Sequence, residues 1–425
     1  MPSSLAPGVR RREVWAWAMF DFANSGYTTV VITAVFNAYF VAVVAGGQAW
    51  GTLAWTSATA LSYALVILSA PLLGAYADAL ACKKRLLLVS ALGCILFTAG
   101  LALAGPGTLV VALVFIVLSN FCFGTGENLI AAFLPELARR EALGRVSGWG
   151  WGFGYIGGLV SLGACLGYVT WAQAQGQSAE QFVPACMLIT AALFAVACAP
   201  TFVFLGERSR PQLGAAIGVQ AVWSRFAQTL GEAGRYRDLL RFLLCTVCYQ
   251  AGISAVITLA AIYAEQVMGF ATQDTLLLIF AVNVTAAIGA VLFGWLQDRI
   301  GHRATLSLTL LGWIAMIGLV WAAQGPLLFW LAANLAGLCM GASQSAGRAI
   351  VGLLAPATRL AEFFGLWGQA VKLAAILGPM TYGLTSWLSG GDHRLAMLIT
   401  GSYFVIGLLL LASVDLERGR RAALA

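Results

Sequence analysis

An all-α membrane protein of twelve transmembrane helices, in two six-helix bundles related by an internal parallel repeat, is the fold this sequence predicts. Three observations predict it. Of 425 residues, 60% are hydrophobic and only 10% charged, where a soluble chain carries roughly a quarter charged; mean hydropathy is +0.87. Apolar runs near the 20 or so residues that a spanning helix needs recur twelve times. Short motifs of the first half return about 220 residues later.

The runs lie near 14–44, 50–77, 86–105, 108–134, 146–170, 182–206, 238–264, 274–297, 304–323, 326–350, 364–388 and 395–414. The first is read as an uncleaved span, being too long for a signal-peptide core. Alternating the segments across a bilayer gathers 21 of the 24 Lys and Arg on one side, leaves Arg394 on the other, and keeps Arg348 and Lys372 within spans. By the positive-inside bias both termini are expected in the cytoplasm. Topology accounts for the net charge of +7, so no nucleic-acid partner is expected. Residues 207–237 form a polar cytoplasmic linker between an N-terminal bundle (1–206) and a C-terminal one (238–425). Val222, Phe226 and Leu230 fall at helical spacing around it, which predicts an amphipathic helix on the membrane face.

Nine cysteines lie mostly in apolar runs, and Cys245-x-x-Cys248 sits mid-span without a partner pair, so packing is expected of it. With two histidines, His302 and His393, both beside charged loops, no metal and no cofactor are expected. No G-x-x-x-x-G-K-[ST] loop is present, and no nucleophile–base pair can be assembled, so neither an ATP-driven pump nor an enzyme is expected.

The repeat is read from Gly74 and Gly294, Asp78 and Asp298, Gly148 and Gly368 (each 220 apart), and Pro135 and Pro356 (221 apart). Val31-Ile32-Thr33 and Val256-Ile257-Thr258 add to it, with Gly26 and Gly252 upstream. Parallel six-span repeats place a solute site between the halves near the bilayer midplane. The run Gly294, Asp298, Arg299, Gly301, Arg303 resembles the loop signature of the major facilitator superfamily; the first-half copy keeps Gly74 and Asp78 but has Ala79 for the arginine. Trp15 to Phe40 and Phe133 to Gly158 are similar to one branch of that superfamily, the fungal vacuolar amino-acid effluxers linked to autophagy and their bacterial relatives. Where members of that branch carry an acid beside the glycine of span seven, this chain has Gln250-Ala251-Gly252. The resemblance implies a twelve-span secondary transporter using no ATP; a monomer in the inner membrane of a bacterial cell is expected.

Ionisable side chains inside a bilayer are costly and mark functional sites. Four are predicted there. Asp21 stands nine residues past Arg12, about 13 Å into a core of about 30 Å. Glu127 and Arg348 each precede a span-ending proline by eight residues, and Lys372 lies about two turns into span eleven. Both acids belong to the first half and both bases to the second. A cavity between the halves would be negative on one wall and positive on the other. That suits a zwitterion, its ammonium towards Asp21 or Glu127 and its carboxylate towards Arg348 or Lys372, and it suits proton coupling. Asn24, Tyr27, Asn128, Gln250, Asn283 and Gln344 are neutral candidates to complete the site. The alternative for the charges is plain pairing that locks the halves together. Gly74, Asp78, Gly294, Asp298, Arg299, Gly301 and Arg303 are expected to gate, with the two aspartates bonding helix-start amides when the inner side is shut. The glycines of span five are expected to serve packing, and Gly378-Pro379 to kink span eleven.

The function expected is secondary active transport by alternating access of a small polar organic solute, an amino-acid-like zwitterion or organic anion, coupled to protons. A sugar or glycoside carrier of the same fold, and a non-transporting membrane receptor or scaffold, are the alternatives.

Overall fold

The computed structural model describes residues 4–48, 50–209, 211, 235–270, 272–390 and 392–424. The predicted amphipathic linker helix with Val222, Phe226 and Leu230 lies outside them. Twelve helices are long and apolar enough to cross a membrane, and among the described residues there is no strand. They are α1 (Arg11–Val44), α2 (Gly51–Leu80), α3 (Lys83–Gly100), α4 (Leu109–Ala131), α5 (Leu143–Ala174) and α6 (Ala179–Phe204). After the linker come α7 (Arg237–Gln266), α8 (Thr272–Ile300), α9 (His302–Ala322), α10 (Pro326–Leu354), α11 (Leu360–Leu388) and α12 (His393–Ala412). A short α13 (Leu416–Leu424) follows.

Several helices outrun their apolar stretches. With 32 residues, α5 is about 48 Å long at about 1.5 Å per residue, well beyond a hydrocarbon core of about 30 Å. The first span is not uniform: its second half widens into π-helical turns at Thr28–Ala34 and Phe40–Val44. There Val35 N–H donates to Val30 O (2.9 Å) and Ala45 N–H to Phe40 O (2.8 Å). Residues 28–35 are nearly all β-branched, and such side chains crowd the preceding turn of an α-helix; wider turns relieve that. Helix α11 runs unbroken through Pro379, and the Cys245 thiol donates to the Gly407 carbonyl of α12 (3.1 Å), a packing contact.

The packing repeats. Helix α1 packs on α5 and α6, α3 on α4 and α6, and α2 on α4; six spans on, α7 packs on α11 and α12, α9 on α10 and α12, and α8 on α10. Between the sets, α2 lies against α11 and α5 against α8, with smaller contacts of α4 on α11 and α5 on α10.

A clasp that the motif search missed also occurs twice. Glu13, in the first turn of α1, receives Arg208 from beyond α6 (2.8 Å). Asp238, in the first turn of α7, receives Arg418 of α13 through Nε (2.6 Å) and Nη2 (2.7 Å). Each acid ties the start of a six-helix set to the segment after its end. Asp238 also accepts the Asp415 N–H (3.0 Å), so Asp238→Ala is expected to lower the melting temperature of the purified protein by several degrees, with Asp238→Glu recovering part of the loss. Unchanged melting would show that the second clasp contributes nothing to stability.

Candidate functional site

The basic ends of the helices meet across the two sets through a doubled contact. Asp298, at the end of α8, accepts the Gly144 (3.1 Å) and Arg145 (3.3 Å) N–H groups at the start of α5 through Oδ1, and Arg145 Nε lies 3.4 Å from its Oδ2. Asp78, near the end of α2, accepts the Glu362 N–H at the start of α11 (3.0 Å). Both carboxylates thus satisfy otherwise unpaired helix-start amides and sit on the positive end of the helix dipole.

The glycines make the approach possible. A Cβ on Gly294 would lie 2.7 Å from the Gly144 carbonyl oxygen and 3.0 Å from Gly148 Cα, and one on Gly74 would fall on the Ala361 carbonyl. Likewise a Cβ on Gly365 would lie 2.6 Å from the Ala70 oxygen, while one on Gly148 would fall on the Ala290 carbonyl. The matched partners reveal a register the sequence overlay misses: α2 maps to α8 with an offset of 220, but α5 maps to α11 with an offset of 217. Gly148 therefore corresponds to Gly365, not to Gly368. Gly294→Val is expected to force α8 off α5, read as faster amide hydrogen exchange in the peptide holding Gly144 and Arg145; exchange as slow as in the parent would contradict the close contact.

Three residues of the loop signature stay within the second set. The Arg299 guanidinium lies 3.5 Å from the Trp295 ring centroid, Arg303 donates to the Ala412 carbonyl (2.7 Å), and Gly301, at φ +90°, precedes α9 in a conformation that favours glycine.

Deeper in, the four intramembrane charges form two ion pairs, each joining the first set to the second. Arg348 of α10 holds Asp21 of α1, Nη1 to Oδ2, at 2.7 Å. Its Nε donates to Ser147 Oγ (3.2 Å) and its Nη2 to the Ser147 carbonyl (3.0 Å) on α5. The guanidinium carbon lies 4.7 Å from the Trp17 ring and 5.2 Å from the Trp151 ring. A Cβ on Gly150 would come within 2.5 Å of Asp21 Oδ2 and 2.6 Å of Arg348 Nη2, so only glycine leaves room for the pair. This pair is sealed, with side-chain exposures of 11% for Asp21 and 3% for Arg348.

Lys372 of α11 holds Glu127 of α4 at 2.9 Å. The ammonium lies 5.4 Å and 5.3 Å from the Tyr63 and Phe123 rings. Here Glu127 keeps 23% of its side chain exposed. The charges are thus brought together in two pairs, of which the Glu127–Lys372 pair is partly open and the other sealed.

The neutral candidates divide. Gln250 and Gln344 bond each other (2.7 Å) within the second set, and Asn283 donates to its own helix at Ile279 O (2.8 Å). Tyr27 is fully buried in the first set, bonded to Ser119 (2.9 Å) and stacked on Phe123. Asn24 Oδ1 and both amide atoms of Asn128 are buried without a hydrogen-bond partner among the described residues. Ser147, Trp17 and Trp151 were missed by sequence reasoning; the Trp-Gly alternation of residues 149–152 is a signal for Trp151 alone.

A family profile described as "Vacuole effluxer Atg22 like" matches residues 51–424. The chain belongs to this family. A relative in Bacillus subtilis, described as an uncharacterized MFS-type transporter YxiO, is 28% identical over 407 residues, covering 95% of this chain and 94% of its own. Autophagy-related protein 22-1 of Aspergillus fumigatus is 26% identical over 336 residues, which is 71% of this chain but 54% of that protein; the chain spans about half the length of such fungal relatives. Among solved structures, the human organic anion transporter MFSD10 superposes with a TM-score of 0.73 at 17% identity, over 94% of this chain and 99% of that one. The proton:xylose symporter XylE gives 0.69 at 16% identity, over 95% and 94%. These similarities share the fold. This member of the Atg22-like family is an integral membrane transporter of the major facilitator type, and its relatives are transporters rather than enzymes.

Proposed function

We propose that the chain carries a small zwitterionic or anionic organic solute, with amino acids favoured, by proton-coupled alternating access. In this reading residues 1–206 and 238–425 rock as two units joined by the 207–237 linker. The basic face lies in the cytoplasm of a bacterial cell, and the chain works as a monomer. The observation that carries the proposal is that both intramembrane ion pairs set an acid of the first set against a base of the second. Motion of one unit against the other must part them, and a solute bearing both charges can replace each partner as it leaves.

The two pairs take different parts. The open pair receives the solute, its carboxylate on Lys372 and its ammonium on Glu127. The sealed pair closes the basic end; when that end opens, a proton on Asp21 removes the cost of leaving an unpaired buried carboxylate. Asn24 and Gln344 stand about one helical turn from Asp21 and Arg348 on α1 and α10, and Asp78 and Asp298 hold the closed state. An organic anion transporter among the structural neighbours supports a polar organic solute, and the vacuole-effluxer description of the family supports transport.

A thermal-shift screen of the detergent-purified protein tests the reading, since a ligand that binds the folded state raises its melting temperature. Amino acids or small carboxylic acids should stabilise the parent and not Lys372→Gln. Stabilisation by sugars alone, retained in Lys372→Gln, would overturn it.

A further inference from the structure

The α10–α5 and α4–α11 contacts between the sets are filled differently. On one side Arg348 of α10 lies over Trp151 of α5 and spends its donors on Asp21 and Ser147. On the other side stand Asn128 of α4 and Gly368 of α11. These two also touch, since a Cβ on Gly368 would fall on the Asn128 amide. Asn128 is 5% exposed, and neither its Oδ1 nor its Nδ2 has a partner among the described residues. Trp367, next to Gly368, likewise keeps its indole N–H unpartnered. A buried amide left unmatched on both atoms is costly and calls for a bound partner.

Its neighbours say what kind. Gly124, one turn before Asn128, faces Lys372: a Cβ there would lie 3.4 Å from Lys372 Cε. Gly368 and Lys372 are one turn apart on α11, and Glu127 bonds Lys372. An ammonium, a carboxylate and an orphaned amide therefore share one contact between α4 and α11. Resting on the solute reading above, we infer that Asn128 is the specificity-determining residue of the site and selects an amino acid with a neutral carboxamide side group. The ion pair matches the solute's two charges. The side group then meets a neutral donor and acceptor in one plane, which a carboxamide complements on both atoms, a hydroxyl on one and an alkyl group on neither. A third charge there would be buried without a counter-ion.

The test uses the full chain in detergent, with L-glutamine, L-asparagine, L-serine, L-alanine, L-glutamate and L-lysine as probes in equilibrium binding by thermal shift. Two neutral hydrogen bonds are worth about tenfold in affinity, so L-glutamine or L-asparagine should bind about tenfold tighter than L-alanine, with L-serine between. Asn128→Ala and Asn128→Leu should bring that ratio to about one, a change that loss of stability alone would not produce. Equal binding of L-glutamine and L-alanine by the parent, or an unchanged ratio in both variants, would overturn the inference and leave the solute reading in place. If none of the six shifts the parent, both fall.

Discussion

Arg348→Ala is expected to open the basic end of the protein. The substitution removes three hydrogen bonds that one side chain makes to Asp21 and Ser147 on the opposite set, and it strands the buried Asp21 carboxylate. Breaking a buried pair from one side costs about 3–5 kcal/mol, and the cost falls on the closed arrangement, where the pair exists. A shift of that size changes a two-state ratio by a factor of roughly 150 to 5,000. Spin labels at Arg140 and Arg299, both exposed and on opposite sides of the α5–α8 contact, should report a longer distance in Arg348→Ala by pulsed electron resonance. Asp21→Asn, which keeps the shape and removes the buried charge, should lengthen it less. Distance distributions that match the parent in both variants would show that this pair does not hold the ends together.

The second large effect concerns Glu127 and Lys372, and its sign identifies the solute class. Lys372→Gln removes the charge that binds a carboxylate, a contact worth about 1.5–3 kcal/mol, so affinity should fall roughly 10- to 100-fold. Glu127→Gln behaves differently for different solutes. It releases Lys372 from its partner at 2.9 Å, so an anion without an ammonium should bind more tightly, while a zwitterion loses one of its two charge contacts and should bind more weakly. Titration calorimetry with an amino acid and with the corresponding simple carboxylic acid separates these outcomes. Unaltered affinity for both solutes in both variants would remove this pair from the site.

Depth and composition were legible in the sequence; direction around the helix axis was not. Counting residues from Arg12 and from Pro135 and Pro356 placed Asp21, Glu127 and Arg348 at depths where they could meet. Yet Arg348 reaches Asp21 on α1, and Glu127 reaches Lys372 on α11, because the choice between partners depends on which face each helix turns. Gly74, Asp78, Gly294 and Asp298 were readable as a repeated device, since small residues and a terminal acid carry a physical meaning wherever they recur. The register of α5 against α11 was not. Helix α5 begins at Leu143, eight positions past Pro135, which itself sits in the single turn Leu134–Leu137, whereas α11 begins at Leu360, four positions past Pro356. That difference converts an offset of 221 at the prolines to 217 in the helices. In a helix with glycine at 148, 150, 152 and 154, a match to Gly368 arises by composition alone. The clasps of Glu13 with Arg208 and Asp238 with Arg418 escaped notice because ordinary surface charges surround them, and only folding distinguishes the pairs that close a bundle.

Proton movement during transport tests the central claim most directly. The purified protein is reconstituted into liposomes loaded with a pH-sensitive dye, and L-glutamine is supplied on one side. Solute flux in the parent should carry protons in step with it. Asp21→Asn should still exchange labelled for unlabelled L-glutamine, yet move no protons and build no gradient when a pH difference is imposed. Accumulation of L-glutamine by Asp21→Asn in response to that pH difference would contradict the assignment of coupling to the pair that joins α1 to α10.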